Sequence, residues 1–229
     1  MSTTVPMHII ARLRSDFPTK FGIPRQSGLA ETRARIVFEP PYRNADALRD
    51  IEGFSHLWLI WQFSEAVREG WSPTVRPPKL GGNRRAGVFA TRSPFRPNAV
   101  GLSSVRLDRV DLHTPDGPVL YVLGADLMDG TPIFDIKPYL PYTDCHPDAT
   151  GGFALQNREG VLRVNCPPAL LGRLPADRQS ALLSLLAQDP RPGYQHERDR
   201  VYGFPFAGFE IRFTVDDPML TVTDIEPLP

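Results

Sequence analysis

Short runs of alternating apolar residues, cut apart by proline, glycine and asparagine, leave this chain little scope for anything but a succession of strands. Met7 to Leu13 places Ile9, Ala11 and Leu13 on one face, and Arg33 to Phe38 places Ala34, Ile36 and Phe38 together. His56 to Phe63 (HLWLIWQF) is apolar almost throughout and reads as a strand buried on both faces. Further strands are expected over Gly87 to Thr91, Leu102 to Leu112, Val119 to Asp126 and Ile133 to Lys137. A brief helix is expected from Ala45 to Ile51, with Asn44 as its N-cap. Many short strands at this spacing predict a mainly β architecture, a mostly antiparallel barrel or sandwich. The punctuation is dense: 25 of 229 residues are proline, against a usual share of about 5%.

The pattern changes near residue 150, where Gly151-Gly152 and a polar stretch read as a linker. Beyond it, Pro175 to Gln188 sets Leu182, Leu185 and Leu186 on one helical face and stops before Pro190. Two alternating strands follow: Phe209, Ile211, Phe213 and Val215 on one, answered by Leu220, Val222 and Ile225 across an Asp216-Asp217-Pro218 turn. The expected organisation is a domain over 1–150 and a small C-terminal α+β domain over 151–229.

Several function classes lose their footing. No stretch approaches 18 apolar residues, so no membrane span is expected. The N-terminal residues lack a secretory-signal pattern. Cys145 and Cys166 make no disulfide framework, the five histidines show no metal spacing, and a cytoplasmic protein without metal is expected. No G-x-G-x-x-G follows a strand, so a Rossmann nucleotide fold is not signalled. The P-loop, nucleophile-elbow and H-E-x-x-H patterns are absent as well.

The chain is formally neutral, with 26 basic and 26 acidic side chains, of which 23 are arginine and three lysine. Base composition of the genome accounts for an arginine excess as well as function does. Position is more informative: Pro73 to Val110 carries a local +7, and Asp111 to Gly160 a local −6. A cationic stretch beside acidic strands suits a polyanion-binding enzyme, although charges in loops also simply face water.

Three stretches carry candidate chemistry. In Phe89 to Gly101 (FATRSPFRPNAVG) two prolines stiffen an exposed loop bearing Arg92, Arg96 and Asn98, and guanidinium forks suit carboxylates and phosphates. In Asp126 to Tyr139, an extended segment from Ile133 would put Asp135, Lys137 and Tyr139 on one face, together with Ile133, as a candidate acid/base set. The same spacing equally describes an ion pair on a solvated strand. Asp189 to Tyr194 (DPRPGY) is a rigid turn whose Arg191 and Tyr194 could meet an RNA loop.

The blocks GIPRQSGL (22–29), IEGFSHLWLIWQF (51–63), WSPTVRPPKLGGNRRAGVFATRSPFRPNAVG (71–101), DGTPIFDIKPYLPY (129–142) and AQDPRPGY (187–194) resemble the TrmO (YaeB, TsaA-like) family of S-adenosylmethionine-dependent tRNA N6-methyltransferases. The resemblance implies a non-Rossmann single-sheet β-barrel, a homodimer with cofactor sites near the subunit interface, and S-adenosylmethionine as cofactor. The implied substrate is tRNA carrying N6-threonylcarbamoyladenosine 3′ of the anticodon, engaged through its anticodon stem-loop. The implied cofactor region matches at Arg25, Gln26 and Ser27, at Ser64 and Glu65, at Arg92, at Leu102, and at Leu123, Gly124, Ala125 and Asp126.

The target nitrogen is conjugated to a purine and a carbonyl, so it is a poor nucleophile with a somewhat acidic N–H, and a base would help. Asp135 or Asp129 is the expected proton acceptor, Lys137 or Arg96 the partner of the threonyl carboxylate, and Tyr139 an orienting group. Arg84, Arg85, Arg96, Asn98, Arg191 and Tyr194 are the expected tRNA contacts. Two further readings use the same cofactor pocket: a methyltransferase for another RNA or a small molecule, and a non-enzymatic RNA-binding barrel that senses S-adenosylmethionine.

Overall fold

The computed structural model describes residues 4–77, 84–156, 161–191 and 197–229. Six strands close a single-sheet barrel: β1 (Ala11–Ser15), β2 (Arg33–Phe38), β3 (His56–Gln62), β6 (Val100–Thr114), β7 (Gly117–Leu123) and β8 (Pro132–Pro138), in the order β1-β2-β7-β6-β3-β8. Every neighbouring pair in the barrel is antiparallel. A short ladder of β4 (Thr74–Val75) and β5 (Ala86–Gly87) stands outside it. The alternation read from the sequence points Leu13, Ile36, Leu57, Leu59, Val105, Leu120 and Ile133 into one interior, all at most 1% exposed.

The second sheet runs β10 (Tyr202–Phe206), β11 (Phe209–Asp216), β12 (Met219–Pro227), β9 (Arg163–Asn165), the last pair being parallel. Four α segments are present among the described residues: α1 (Pro141–Asp144), α2 (Phe153–Gln156), α3 (Pro168–Leu171) and α4 (Ala176–Ala187). Leu182, Leu185 and Leu186 of α4 pack with Phe204, Ile211, Phe213, Val215, Leu220, Val222 and Ile225 in a separate core. The β1–β2 connection joins the two units. Phe17 and Ala30 sit in this second core, and Ala207 donates its N–H to the Asp16 carbonyl at 3.0 Å.

Several expectations are corrected. The β3 strand alternates: Leu57, Leu59 and Trp61 are buried, whereas His56, Trp58, Ile60 and Gln62 are only half-buried. It covers the barrel interior with one face and leaves the other to line a cavity. The region Ala45–Ile51 forms not an α-helix but a 3₁₀ turn, Ala45–Leu48, although Asn44 does cap it by accepting from the Asp46 N–H at 3.0 Å. The strand expected over Gly87 to Thr91 ends at Gly87 and turns at Val88–Ala90. The alternation expected from Ile133 is broken by a register shift where β8 pairs with Ile60 and Trp61. That bulge sends Ile133 inward, away from the face of Asp135 and Lys137.

Candidate functional site

A cavity of about 740 Å³ opens beside β3 and β6. Its floor follows from cross-strand pairing, since directly opposed residues share a face. Leu102, Ile60 and Asp135 form one row on the barrel's outer surface, and Ser104, Trp58 and Lys137 the next. Trp58, Gln62, Val100 and Leu102 line the cavity, together with Phe63, Ser64 and Glu65 beyond the end of β3. Gly101 is required by close approach: a Cβ there would fall 2.3 Å from the Trp61 ring. The loop 92–98 and the residues Arg25 and Gln26 form the opposite wall.

Asp126 is the carboxylate set into this wall. The Trp61 indole donates to Ser103 Oγ at 3.0 Å, and Ser103 donates to Asp126 Oδ1 at 2.6 Å. Burial pushes the Asp126 carboxyl above its ordinary range, although Ser103, the Ser27 N–H and the Arg92 guanidinium each pull the other way. Arg92 donates to the side-chain amide oxygen Oε1 of Gln26, and Arg25 donates to the Asp189 and Arg191 backbone carbonyls at 3.1 and 3.4 Å. The site therefore offers an aromatic and aliphatic wall, one half-buried carboxylate and several fixed guanidiniums, the composition of a small-molecule pocket.

Of the residues implied for the cofactor, Arg25, Gln26, Ser64, Glu65, Arg92, Leu102 and Asp126 line this cavity. Ser27 reaches Asp126 through its backbone. Gly124 and Ala125 hold the segment in place, by Gly28 N–H to Gly124 O at 2.9 Å and Thr32 Oγ to Ala125 O at 2.7 Å. Leu123 borders a different cavity. Arg96 and Asn98 line the first cavity as well.

The four residues expected to do chemistry separate. Asp135 and Lys137 pair at 2.9 Å on the outer sheet face, one strand away from the cavity floor. Tyr139 packs on Trp58, ring centroids 5.5 Å apart; burial, with the Cys145 thiol and the Asp144 carboxylate beside it, raises its phenol above the ordinary range. Asp144 accepts the Leu140 N–H at 2.9 Å and the Trp58 indole N–H at 2.8 Å, which hold its carboxyl below the ordinary range. Asp129, by contrast, accepts the Ser15 N–H at 3.0 Å and borders the other cavity. It anchors the end of β1 and is not joined to the Asp135 group.

The expected tRNA contacts divide similarly. Arg84 and Arg85 are exposed beside the β4–β5 ladder, where Arg85 donates to Thr74 Oγ1 at 2.8 Å. Arg191, expected at the surface, is instead buried, bonded to Asp189 at 2.9 Å and to Asp217 at 2.7 Å. Its guanidinium serves the fold. Tyr194 and Lys79 lie outside the described residues. The sequence reading missed Trp58 as a cavity wall, although the period of two within HLWLIWQ places it opposite Leu57 and Leu59. It also missed Arg68, whose guanidinium lies 3.9 Å over the Phe95 ring.

Comparison with known proteins decides the kinship. The model of the tRNA-methyltransferase O N-terminal domain matches residues 12–145, and that of the TrmO C-terminal domain matches 170–228. The chain belongs to the tRNA-methyltransferase O family. A relative from Escherichia coli K12, named tRNA (adenine(37)-N6)-methyltransferase, is 41% identical over 227 residues, 95% of this chain and 96% of the relative. A Pseudomonas aeruginosa relative named as a putative S-adenosylmethionine-dependent methyltransferase is 39% identical, covering 94% and 95% of the two chains. The crystal structure of TrmO from P. aeruginosa superposes with a TM-score of 0.79 at 33% identity, covering 100% of this chain and 99% of that one. As in that family, the barrel here comes with a small C-terminal unit. No helix among the described residues is long and apolar enough to cross a membrane, and none of their acidic, histidine and cysteine side chains cluster as a metal site.

Proposed function

We propose that the chain N6-methylates the adenosine at tRNA position 37 when that base already carries the threonylcarbamoyl group, using S-adenosylmethionine. The coarser statement, that this is a tRNA (adenine-N6)-methyltransferase, follows from family membership and from the relatives that share nearly its whole length. The observation that carries the finer reading is the cavity on the outer face of β3 and β6, with the Asp135–Lys137 pair one strand away.

The cavity residues fit the cofactor's chemistry. The Trp58, Phe63 and Leu102 surfaces suit a purine, the guanidinium of Arg92 a carboxylate, and Asp126 an ammonium or a hydroxyl. When bound, S-adenosylmethionine supplies an electrophilic methyl group on a sulfonium. The remaining work belongs to the chain. Its walls fix the direction of approach, which is worth far more than any single contact. Asp135 would accept the N6 proton as the N–C bond forms, and Lys137 beside it would hold the threonyl carboxylate. Tyr139, fixed on Trp58, would orient that group. Arg84, Arg85, Arg96 and Asn98 would meet the RNA, whereas Asp129 and Arg191 are assigned to the fold.

The same reading takes the chain as a cytoplasmic homodimer recognising the anticodon stem-loop. The barrel, 1–150, would bind the cofactor and the C-terminal unit, 151–229, would assist tRNA binding. The deciding experiment is methyl incorporation into tRNA with and without the threonylcarbamoyl group. Transfer to the modified tRNA alone supports the reading. Equal transfer to both removes the substrate assignment, and no transfer despite calorimetric cofactor binding points to a sensor.

A further inference from the structure

Two large aromatic side chains stand in solvent beside the cavity. Trp71 is 54% exposed and Phe89 is 73% exposed, and their rings lie 6.0 Å apart at 32°. Single exposed apolar residues are ordinary, but a paired tryptophan and phenylalanine held by a built ladder are not. The holding is clear. Thr74 pairs with Gly87 and Val75 with Ala86, Val88 donates to the Pro73 carbonyl at 2.9 Å, and Val88 itself is 1% exposed. The backbone on either side of the two rings is thus pinned while the rings stay open.

Trp71 lines an adjoining recess of about 700 Å³. That recess shares Gln62, Arg68, Phe95, Arg96 and Asn98 with the cofactor cavity, so Trp71, with Phe89 beside it, stands on a surface continuous with the place where methyl transfer is proposed. Cations are interleaved: Arg68 lies over Phe95, Arg96 lines both recesses, and Arg85 is fixed to the same ladder by Thr74. Glu69 is the acid on this recess.

We propose that Trp71 and Phe89 are a stacking platform for unpaired bases of the RNA that flank the adenosine undergoing methylation. This rests on the tRNA reading above. An enzyme that works on a base must take it out of its stack, at a cost of a few kcal/mol. The neighbours left behind need new stacking partners, and exposed rings interleaved with arginine provide these without selecting a sequence. A second copy of the chain would also cover exposed rings, but the flanking guanidiniums and the continuity with the cavity favour a polyanion carrying bases.

The test uses a synthetic anticodon stem-loop RNA and the full-length chain. Trp71→Ala and Phe89→Ala should each weaken RNA binding by about 5- to 100-fold, with cofactor affinity, melting temperature and oligomeric state unchanged. Trp71→Leu and Phe89→Leu keep apolar bulk but no π-face and should weaken it alike, whereas Trp71→Phe and Phe89→Tyr should stay close to wild type. Titrating RNA should also quench fluorescence that is missing from Trp71→Phe. Leucine variants binding RNA like wild type, or alanine variants that dissociate a dimer without touching RNA affinity, would overturn the platform and assign the rings to a protein contact. If the wild-type chain binds no stem-loop, the tRNA reading falls with it; if wild type binds and the alanine variants bind equally, only the platform falls.

Discussion

Two of the barrel's recesses are of comparable size and opposite character. The first, about 740 Å³ beside β3 and β6, is walled by Trp58, Phe63 and Leu102 and holds the half-buried carboxylate of Asp126. The second, about 530 Å³ beside β1, β2 and β7, is lined by Arg14, Arg33, Arg35, Arg109 and Arg178 and by Asp16, Asp108, Asp129 and Asp177. The second is richer in charge, yet its charges answer one another. Arg178 meets Asp16 at 2.6 Å, Arg14 meets Asp129 at 3.5 Å, Arg109 meets Asp108 at 3.5 Å and Arg33 approaches Asp177 at 3.9 Å. Arg109 also lies 3.6 Å over Tyr121. A ligand entering there would have to break bonds already made. A ligand entering the first recess meets a largely apolar and aromatic wall with a few polar groups, which is the better signature of a site.

The sharpest way to break this contrast is to treat alike the aspartate one strand from the first recess and one that lines the second. Asp135→Asn should lower turnover by about 10²- to 10⁴-fold if it is the proton acceptor, with cofactor affinity by calorimetry unchanged. Asp129→Asn, in the other recess, should leave turnover alone and cost about 1 kcal/mol of stability through the Ser15 N–H. Equal losses of turnover in both would dissolve the distinction.

Arg191 tests whether a buried charge cluster can serve the first recess from behind. Its side chain is 4% exposed between Asp189 and Asp217, and the carbonyls of Asp189 and Arg191 receive Arg25. Removing one partner of such a cluster leaves an uncompensated charge and costs about 3–5 kcal/mol when fully buried; Asp217 is 57% exposed, so about 2–3 kcal/mol is expected for Arg191→Met by denaturant unfolding. Cofactor affinity should fall with it, because Arg25 loses its anchor. An unchanged affinity would detach the turn from the site.

Asp126 gives the pH dependence. Its carboxyl is raised above 3.8 by burial, so in the window from 3.8 up to that raised value the folded chain holds more protons than the unfolded one. Stability then falls as pH rises through the window and is flat above it. A cationic cofactor selects the ionised form, so its affinity should rise across the same window. Asp126→Asn should remove both slopes and weaken cofactor binding by about tenfold; a variant that kept the slopes would place the titrating group elsewhere.

Much of the fold was legible from alternation: in the barrel β2 runs from Arg33 to Phe38 as read, and in the second core the inward set of α4, β11 and β12 is the expected one. Legibility failed where local pattern is overruled. A bulge, not written in the residues themselves, turns Ile133 inward. A partner distant along the chain, Asp217, closes over Arg191 through tertiary folding that local pattern does not show. The run of positive charge from Pro73 to Val110 is likewise reduced at its end in space, because Arg106 pairs with Glu31 and Arg109 with Asp108. The rigid loop 92–98 was readable because its prolines fix it, whereas the exposed pair Trp71 and Phe89 carried no signal beyond composition.

The smallest predicted effect probes the second recess on its own terms. Arg14 and Arg35 are directly opposed across β1 and β2, and Arg35 is opposed in turn to Tyr121 and Tyr121 to Arg109. Like charges in direct register repel, by about 0.2–1 kcal/mol. Arg14 is relieved by Asp129, but no acid lies within ion-pair reach of Arg35 among the described residues. Arg35→Thr keeps a β-branched residue on an exposed strand position and removes the repulsion. It should therefore stabilise the chain by a few tenths of a kcal/mol, and the gain should shrink as salt screens the pair. If this face is only a mutually satisfied network, RNA affinity and its salt slope will not change. A shallower slope in the variant would mean that Arg35 gives up a phosphate contact, and the second recess would then have to be counted part of the RNA surface.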